Sequence, residues 1–534
     1  MLVIAWYITE SAIDQSHATE LVRFILAAQN DDGGWPTYCG QGTTLMGTIL
    51  VYVALRLMGL SSEEKALVRG CACLLDMGGA VRLAAWAKFW LAMLGLYKWE
   101  GTDPYPVEMW LLPEWVPVSP WKWFVIPRQV YLAMSYLSTR QFTIPSNPLL
   151  DEIRREIFVQ PYDQVDFAAY RGATLYRSRE LRTPWPLRLL NWILLNIWIP
   201  WLRPHSLVQR GLQHVWSTIQ ELEKVSNTVA SISVDCFLNM IAFYAQEGPD
   251  SPGLRRIQNA SYEYLWMGPQ GMQMMSIHAA NTWETAFAMQ AYAQARLGDV
   301  PKIQPAMSRA YKFLIDQQHT VDFSKDSLCR LSSRLGGWPF ASRYHGVACS
   351  DCTGETLKAI LLIEQESNLA RLSSDHSLQL GVDNLIACQN STGGYSSFEP
   401  RRGSPLLEYL NGTELFGKVM IEYDYIECTS SCITALALYQ SRDPVYSRKE
   451  VSRAITRGVT YILSQQRPDG GWIASWGIAC TYGAFFALEA LACVGLSYDN
   501  NSAVRRGCDF LIHHQKDGGW GESMQVRSFK KPQG

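Results

Sequence analysis

The sequence predicts an all-α fold class, two α/α barrel domains built from a repeated helical unit, and three observations lead there. First, one unit recurs: an apolar helical stretch, then Gln, then a Gly-Gly-aromatic turn. It runs from Glu20 through Gln29 to Gly33-Gly34-Trp35, from Arg457-Gly458 through Gln466 to Gly470-Gly471-Trp472, and from Arg506-Gly507 through Gln515 to Gly518-Gly519-Trp520. Weaker copies run from Gly381 through Gln389 to Gly393-Gly394-Tyr395, and from Arg309 through Phe313-Leu314 to Gln317. Recurrence of one supersecondary unit marks a repeat architecture. Second, each copy carries Leu, Phe and Ile at helical spacing, with a glycine pair that stops the helix. Third, strand-like alternation is rare. Helical pairs in this number close most economically as α/α barrels, two packed side by side.

Each element has a physical role in that scheme. The Gln is placed to hydrogen-bond exposed helix-end groups, and the aromatic residue to pack on the next helix. The 534 residues suffice for two full cores, with residues 1–270 expected as the first domain and 271–534 as the second. The apolar start, Met1 to Ile8, lacks a positive flank and a small-residue cleavage site, so it reads as the middle of a helix rather than a signal peptide. The first half also holds Gly78-Gly79-Ala80 and a Pro- and Trp-rich stretch from Met109 to Pro117.

The stretch from Pro184 to Arg203 is strongly apolar, but Arg188, Asn191, Asn196 and Pro200 interrupt it. It is too broken to supply the roughly 20 apolar residues that span a bilayer. Tryptophans at both ends and flanking Arg suit a headgroup region. Two readings stand: a monotopic anchor dipping into one leaflet, or an interior helix of an ordinary core.

Bulk properties exclude some classes. With a net charge of −2 and no Lys/Arg block, there is no nucleic-acid footprint. Thirteen scattered cysteines, an odd number, read as reduced thiols in an intracellular compartment. Cys349 and Cys352 form the only close pair with metal-like spacing. Zinc needs about four ligands and no second such motif lies nearby, so neither metal nor cofactor is expected.

Asp351 is a lone acid between those thiols. Serving as a proton donor near neutral pH requires raising its pKa from about 3.9 to about 7, about 4 kcal/mol of differential interaction. Burial among apolar groups can supply that much, and weak S–H partners leave the carboxyl protonated more readily than Arg or Lys would. Read alone, Asp351 equally suits a cap for a helix beginning around Thr353.

The repeated Gln…Gly-Gly-Trp units together with Ser350 to Thr353 resemble the oxidosqualene cyclases, the triterpene-forming relatives of lanosterol synthase in the terpene cyclase/mutase family. The resemblance covers nearly the whole chain, including Gly78 through Gly101, Arg128 to Tyr136, Trp283 to Phe287, Glu427 to Ser430 and Ser475 to Gly483. It implies a pair of α/α barrels, the terpenoid cyclase fold, around an apolar cavity reached from the membrane. It implies 2,3-oxidosqualene as substrate, the membrane surface as partner, and a peripheral place on the cytosolic side of the endoplasmic reticulum or a lipid droplet. By resemblance Asp351 is the proton donor, and Cys352 and Cys428 are its hydrogen-bonding partners. Trp283, Phe340 and Trp476 are the aromatic faces that stabilise the moving cation. Taken singly, each aromatic reads as core packing. Bacterial squalene cyclases carry Asp-X-Asp-Asp at this place to protonate an alkene, whereas this chain has Cys349 to Cys352, which points to the more basic epoxide.

Departures from the family pattern point to product. Where these enzymes have Cys-His-Cys or Cys-Tyr-Cys, this chain has Val125-Ile126-Pro127, and a tyrosine expected after a Gly-Gly-aromatic turn is Phe398. Cys349 replaces the usual Val or Ile two before the acid, and Ile277 occupies a second variable site. Altered termination of the cation is expected, with a protosteryl-type or other non-lanosterol product. Relatives also carry further residues before the position of Met1 and beyond Trp520, where here the tail from Ser523 drifts into charge. The second barrel is therefore expected to be incomplete, with its cavity open to water.

Three alternatives remain at this level: an inactive truncated cyclase scaffold; an α/α-barrel glycoside hydrolase, which needs two carboxylates roughly 5–10 Å apart and finds only Asp351 and Glu355; and a zinc-dependent prenyltransferase β-subunit.

Overall fold

The computed structural model describes all residues except 39, 175–181, 229, 278, 415–416, 478 and 523–534, so the charged tail from Ser523 lies outside the described residues. The described chain is helical apart from one hairpin, Leu265–Gly268 paired with Gly271–Met274, and a few isolated bridges. It forms two compact units. One comprises Met1–His278 with Ser404–Met420, the other Ala279–Gly403 with Ile421–Gly534.

The second unit has two kinds of helix. Asn281–Gln294, Ser350–Glu366, Ile426–Arg442 and Ala479–Cys493 pack in that order, each against the next. Ser350–Glu366 is buried almost all round, as a helix enclosed by others must be. Gln304–Asp316, Asp375–Cys388, Arg448–Ser464 and Ser502–His514 alternate with these along the chain. They bury a single stripe; in Arg448–Ser464 it is Val451, Ala454, Ile455, Gly458 and Ile462. This is the layered helix pairing of an α/α barrel.

The repeat is a clasp between consecutive outer helices. Gln466 Nε2 donates to the Gly470 carbonyl of its own turn at 2.9 Å and to the Ala503 carbonyl of the following helix at 2.7 Å. Gln389 does the same with Gly393 and Ala454, and Gln29 with Gly33 and Ala66. Trp472 Nε1 returns to the Ile462 carbonyl at 2.8 Å, while its ring lies over Gly507, where an added Cβ would meet the ring at 2.7 Å. Gly470 sits at φ +90° with the Arg506 carbonyl 2.4 Å from where a Cβ would stand. Glycine is thus required on both sides of the clasp. The weaker copy predicted around Gln317 is displaced. Gln318 donates to Gly336 and Ser377, and Trp338 Nε1 to the Leu314 carbonyl, so a long loop separates this Gln from its turn.

In the first unit, Leu2–Ile8 opens the chain as a buried helix and places Trp6 in the core with Trp90, Trp110 and Trp121. The segment 404–420 returns to this unit because Glu414 accepts from Ala85 N at 2.7 Å and Thr174 Oγ1 at 2.9 Å, and the Met420 carbonyl accepts from Phe124 N at 2.9 Å.

The stretch 184–203 forms a helix, Trp185–Ile193, that continues as a π-helix, Leu194–Leu202. None of its side chains is buried, and Trp192 and Trp201 are 56 % and 80 % exposed. The interior-helix reading therefore fails. No described helix is long and apolar enough to cross a membrane. Arg203, expected at a headgroup, instead makes a bidentate pair with Glu108 at 2.9 and 2.8 Å, and Trp198 Nε1 donates to the same carboxylate at 2.6 Å. Glu108 pins the end of this segment to the body of the unit.

Candidate active site

Asp351 lies in the first turn of Ser350–Glu366, whose N-cap is Cys349. The helix therefore begins before Asp351, and the capping reading of this residue does not hold. Its carboxylate accepts from the Cys352 backbone N–H at 2.8 Å, and the S–H groups of Cys352 and Cys428 also reach it. Cys428 arrives from the neighbouring helix Ile426–Arg442. Burial raises the pKa of Asp351 to about 6, partly opposed by those hydrogen bonds, while Glu355 pushes further upward. The helix N-terminus favours the carboxylate and the apolar enclosure favours the acid. The balance leaves a group that can both hold and release a proton close to neutrality.

Backbone contacts lock the acid-bearing turn. Cys349 N donates to the Trp338 carbonyl at 2.8 Å, Ser350 N to the Ser397 carbonyl at 2.7 Å, and Ser350 Oγ to the Ser396 carbonyl at 2.6 Å. Thr353 Oγ1 accepts from Trp338 N and donates to the Cys349 carbonyl. Cys349 also hydrogen-bonds the Cys352 thiol and accepts from the backbone N–H of Phe340. Phe340 is thus joined to the same turn, and its carbonyl accepts from Trp283 N at 3.3 Å. The Trp283 and Phe340 rings lie 6.4 Å apart, centroid to centroid, and tilted. The Trp476 ring lies tilted against Tyr425, centroids 4.7 Å apart, and is 39 % exposed.

Two acids to which the sequence assigned no role hold the aromatic residues in place. Glu422 accepts from Phe398 N at 3.0 Å, and burial raises its pKa to about 8. Glu427 accepts from Ser475 N and, at 2.9 Å, from Trp476 N; burial raises its pKa as well. Both sit within seven residues of Cys428, so one short segment carries a thiol for the acid and a clamp for each of two aromatics. Their presence in Ile421–Cys428 was the only sequence signal, and it gave no partner. Glu355, the candidate second carboxylate of a glycosidase, is fully buried, accepts from Gln290 and pairs with Lys358 at 2.9 Å. It is part of an internal ion pair and not one wall of a sugar cleft.

Of the residues singled out from sequence, Asp351, Cys349, Cys352, Cys428, Phe340, Trp283, Phe398 and Trp476 belong to the second unit and are linked as described. Ile126, half-buried in Val125–Thr139, and Ile277, half-buried after the hairpin, belong to the first. Sulfur and oxygen atoms of Cys349, Asp351 and Cys352 lie within 4.8 Å of one another.

An enclosed, protonatable carboxyl with thiol donors, on a helical scaffold rich in aromatic faces, defines a class of enzyme that begins by protonating its substrate and then contains a carbocation. Comparison with known proteins agrees. A family model described as the squalene-hopene cyclase N-terminal domain matches residues 2–267, and its C-terminal counterpart matches 279–534. A lanosterol synthase of Aspergillus fumigatus is 40 % identical over 524 residues, 98 % of this chain and 70 % of that protein. A terpene cyclase/mutase of a Nectria species is 37 % identical, covering 99 % of this chain and 72 % of its own. Mouse lanosterol synthase is 35 % identical, covering 98 % and 72 %. The chain belongs to the oxidosqualene cyclase family, the triterpene-forming terpene cyclase/mutases.

Proposed function

We propose that Asp351 opens the epoxide of 2,3-oxidosqualene and that the chain closes it to a polycyclic triterpene alcohol. The carrying observation is the buried carboxyl that keeps its proton to about pH 6 while thiols of Cys352 and Cys428 face it. The proton passes to the epoxide oxygen, the C–O bond at the tertiary carbon breaks, and the neighbouring alkene supplies the electron pair for the first ring closure. The carboxylate left behind is held by the Cys352 N–H and by the helix N-terminus. Trp283, Phe340 and Trp476 face the migrating positive charge, worth up to about 2 kcal/mol each in a dry site.

Ile126, Phe398, Cys349 and Ile277 steer termination. With Ile126 where the family has His or Tyr, and Phe398 where it has Tyr, the chain lacks two polar groups of the family pattern, so the product is a tetracycle other than lanosterol. The exposed apolar segment 185–202 lies in one leaflet, monotopically. A hydrocarbon epoxide partitions into the bilayer, so that attachment lets the enzyme take substrate directly from lipid. The corresponding place is the cytosolic face of the endoplasmic reticulum or a lipid droplet.

The test is to incubate membranes containing the protein with 2,3-oxidosqualene and analyse triterpene alcohols by mass spectrometry. A cyclic alcohol from wild type and none from Asp351→Asn is the expected result. Silence from both supports an inactive scaffold, and lanosterol as the sole product overturns the steering assignment.

A further inference from the structure

Cys349 brings a second thiol to the acid. It is the N-cap of Ser350–Glu366, and Cys352 is in the first turn of the same helix. Residues three apart on a helix have Cβ atoms about 5–6 Å apart, whereas a disulfide needs roughly 3.5–4.5 Å. The gap is small, and the N-cap has extended rather than helical dihedrals, φ −116° and ψ 138°, so its side chain is not fixed by the helix. The two sulfurs already touch through a hydrogen bond and, with the Asp351 oxygen, lie within 4.8 Å. Both residues are buried, at 2 % and 0 % exposure, and both carry free thiols.

We propose that Cys349 and Cys352 are a dithiol that hydrogen peroxide oxidises to a disulfide, and that this disarms the neighbouring acid. One sulfur, as thiolate, attacks a peroxide oxygen; the O–O bond breaks, hydroxide leaves and a sulfenic acid forms. The second thiolate attacks that sulfur, the S–O bond breaks and the S–S bond forms. Two electrons pass from the sulfurs to hydrogen peroxide, and the two thiol protons leave in two molecules of water. Hydrogen peroxide suits a dry site because it is neutral and close to water in size. Burial holds both thiols above their ordinary pKa, so the reaction is slow, as thiolate chemistry requires. Once formed, the disulfide removes the Cys352 S–H from Asp351, and the proton loses one of the groups that orient it.

The consequence for activity rests on Asp351 being the acid; formation of the bond does not. The full chain in detergent is therefore treated with hydrogen peroxide, and two readouts are taken. Peptide mass mapping is expected to show loss of two hydrogens across a peptide linking Cys349 and Cys352, reversed by dithiothreitol. Oxidosqualene turnover is expected to fall about tenfold, as for one lost hydrogen bond to a charged group, and to recover with the reductant. In Cys349→Val and Cys349→Ser, each compared with its own untreated sample, the mass change disappears and any loss of turnover is not restored by dithiothreitol. Both thiols remaining open to alkylation after treatment of the unfolded-and-quenched wild type overturns the proposal. So does a disulfide joining Cys352 to Cys428 instead. A Cys349–Cys352 disulfide formed with turnover unchanged keeps the dithiol but overturns its control of the acid, and no turnover at all in untreated wild type counts against the reading of Asp351 alone.

Discussion

Asp351 and the segment 185–202 depart in opposite directions from the usual sorting of polar and apolar atoms. One is a carboxyl enclosed in a buried helix, the other a run of Trp, Leu and Ile left in the open. Both are informative because protein interiors ordinarily exclude unpaired acids and monomer surfaces ordinarily avoid large apolar patches. The molecule handles them differently. Around Asp351 it supplies an N–H, two thiols and a locked turn. For 185–202 it supplies a hydrogen bond from Asn191 to Asp103 and the Glu108 pin at the far end, and leaves most of the apolar run exposed. A charged group in a dry place needs internal partners; an apolar face at a surface needs an external one.

The sharpest break is at the acid. Asp351→Asn keeps the shape but removes the proton, and turnover of oxidosqualene is expected to fall by about a thousandfold or more, with unchanged binding to vesicles. Loss of both would mean the substitution unfolds the protein.

With Asp351 as the proposed acid its protonated form is the active one, so kcat/KM is expected to be level below about pH 6 and to fall about tenfold per pH unit above it. The sign for stability is the same. A carboxyl raised from 3.8 to about 6 in the folded state retains a proton that the unfolded chain releases in that window, so its contribution declines as pH rises through it. A rate profile flat from pH 5 to 8 would remove the basis for placing the donor at Asp351.

On the other side of the comparison, Trp192→Ser and Trp201→Ser are each expected to weaken sedimentation with neutral phosphatidylcholine vesicles by about tenfold, from lost apolar burial. Added salt is expected to matter little, since the exposed surface is apolar rather than basic. Equal binding by the double variant would return the segment to a role other than lipid contact.

The repeat was legible because its determinants are local: Gln, two glycines and an aromatic residue within one turn, each with a steric or hydrogen-bonding reason to be there. The copy at Gln318 escaped because its turn lies 18 residues on at Gly336, beyond any local window. The pin of Arg203 by Glu108 and the return of 404–420 through Glu414 escaped for the same reason: each joins residues far apart in sequence. Asp351 is instructive in another way. Its residue type and neighbours allowed an acid or a helix cap, the family resemblance favoured the acid, and only the helix start at Ser350 removed the cap.

The smallest predicted effect separates chemistry from framing at the same site. Burial raises the pKa of Glu427, and Asp351 nearby adds to that, yet its visible contacts are the backbone N–H groups of Ser475 and Trp476. A positioning residue of this kind needs an acceptor oxygen and not a charge. Glu427→Gln, which keeps an oxygen, is expected to retain turnover within about twofold, while Glu427→Ala, which strands two N–H groups, is expected to lower kcat by about tenfold. Only the Ala variant is expected to spread the product mixture, because the Trp476 ring loses its fixed place. A fall of the Gln variant to the level of the Ala variant would mean that the charge of Glu427, and not its acceptor, serves the reaction, and would add a second acid to the buried side of the comparison.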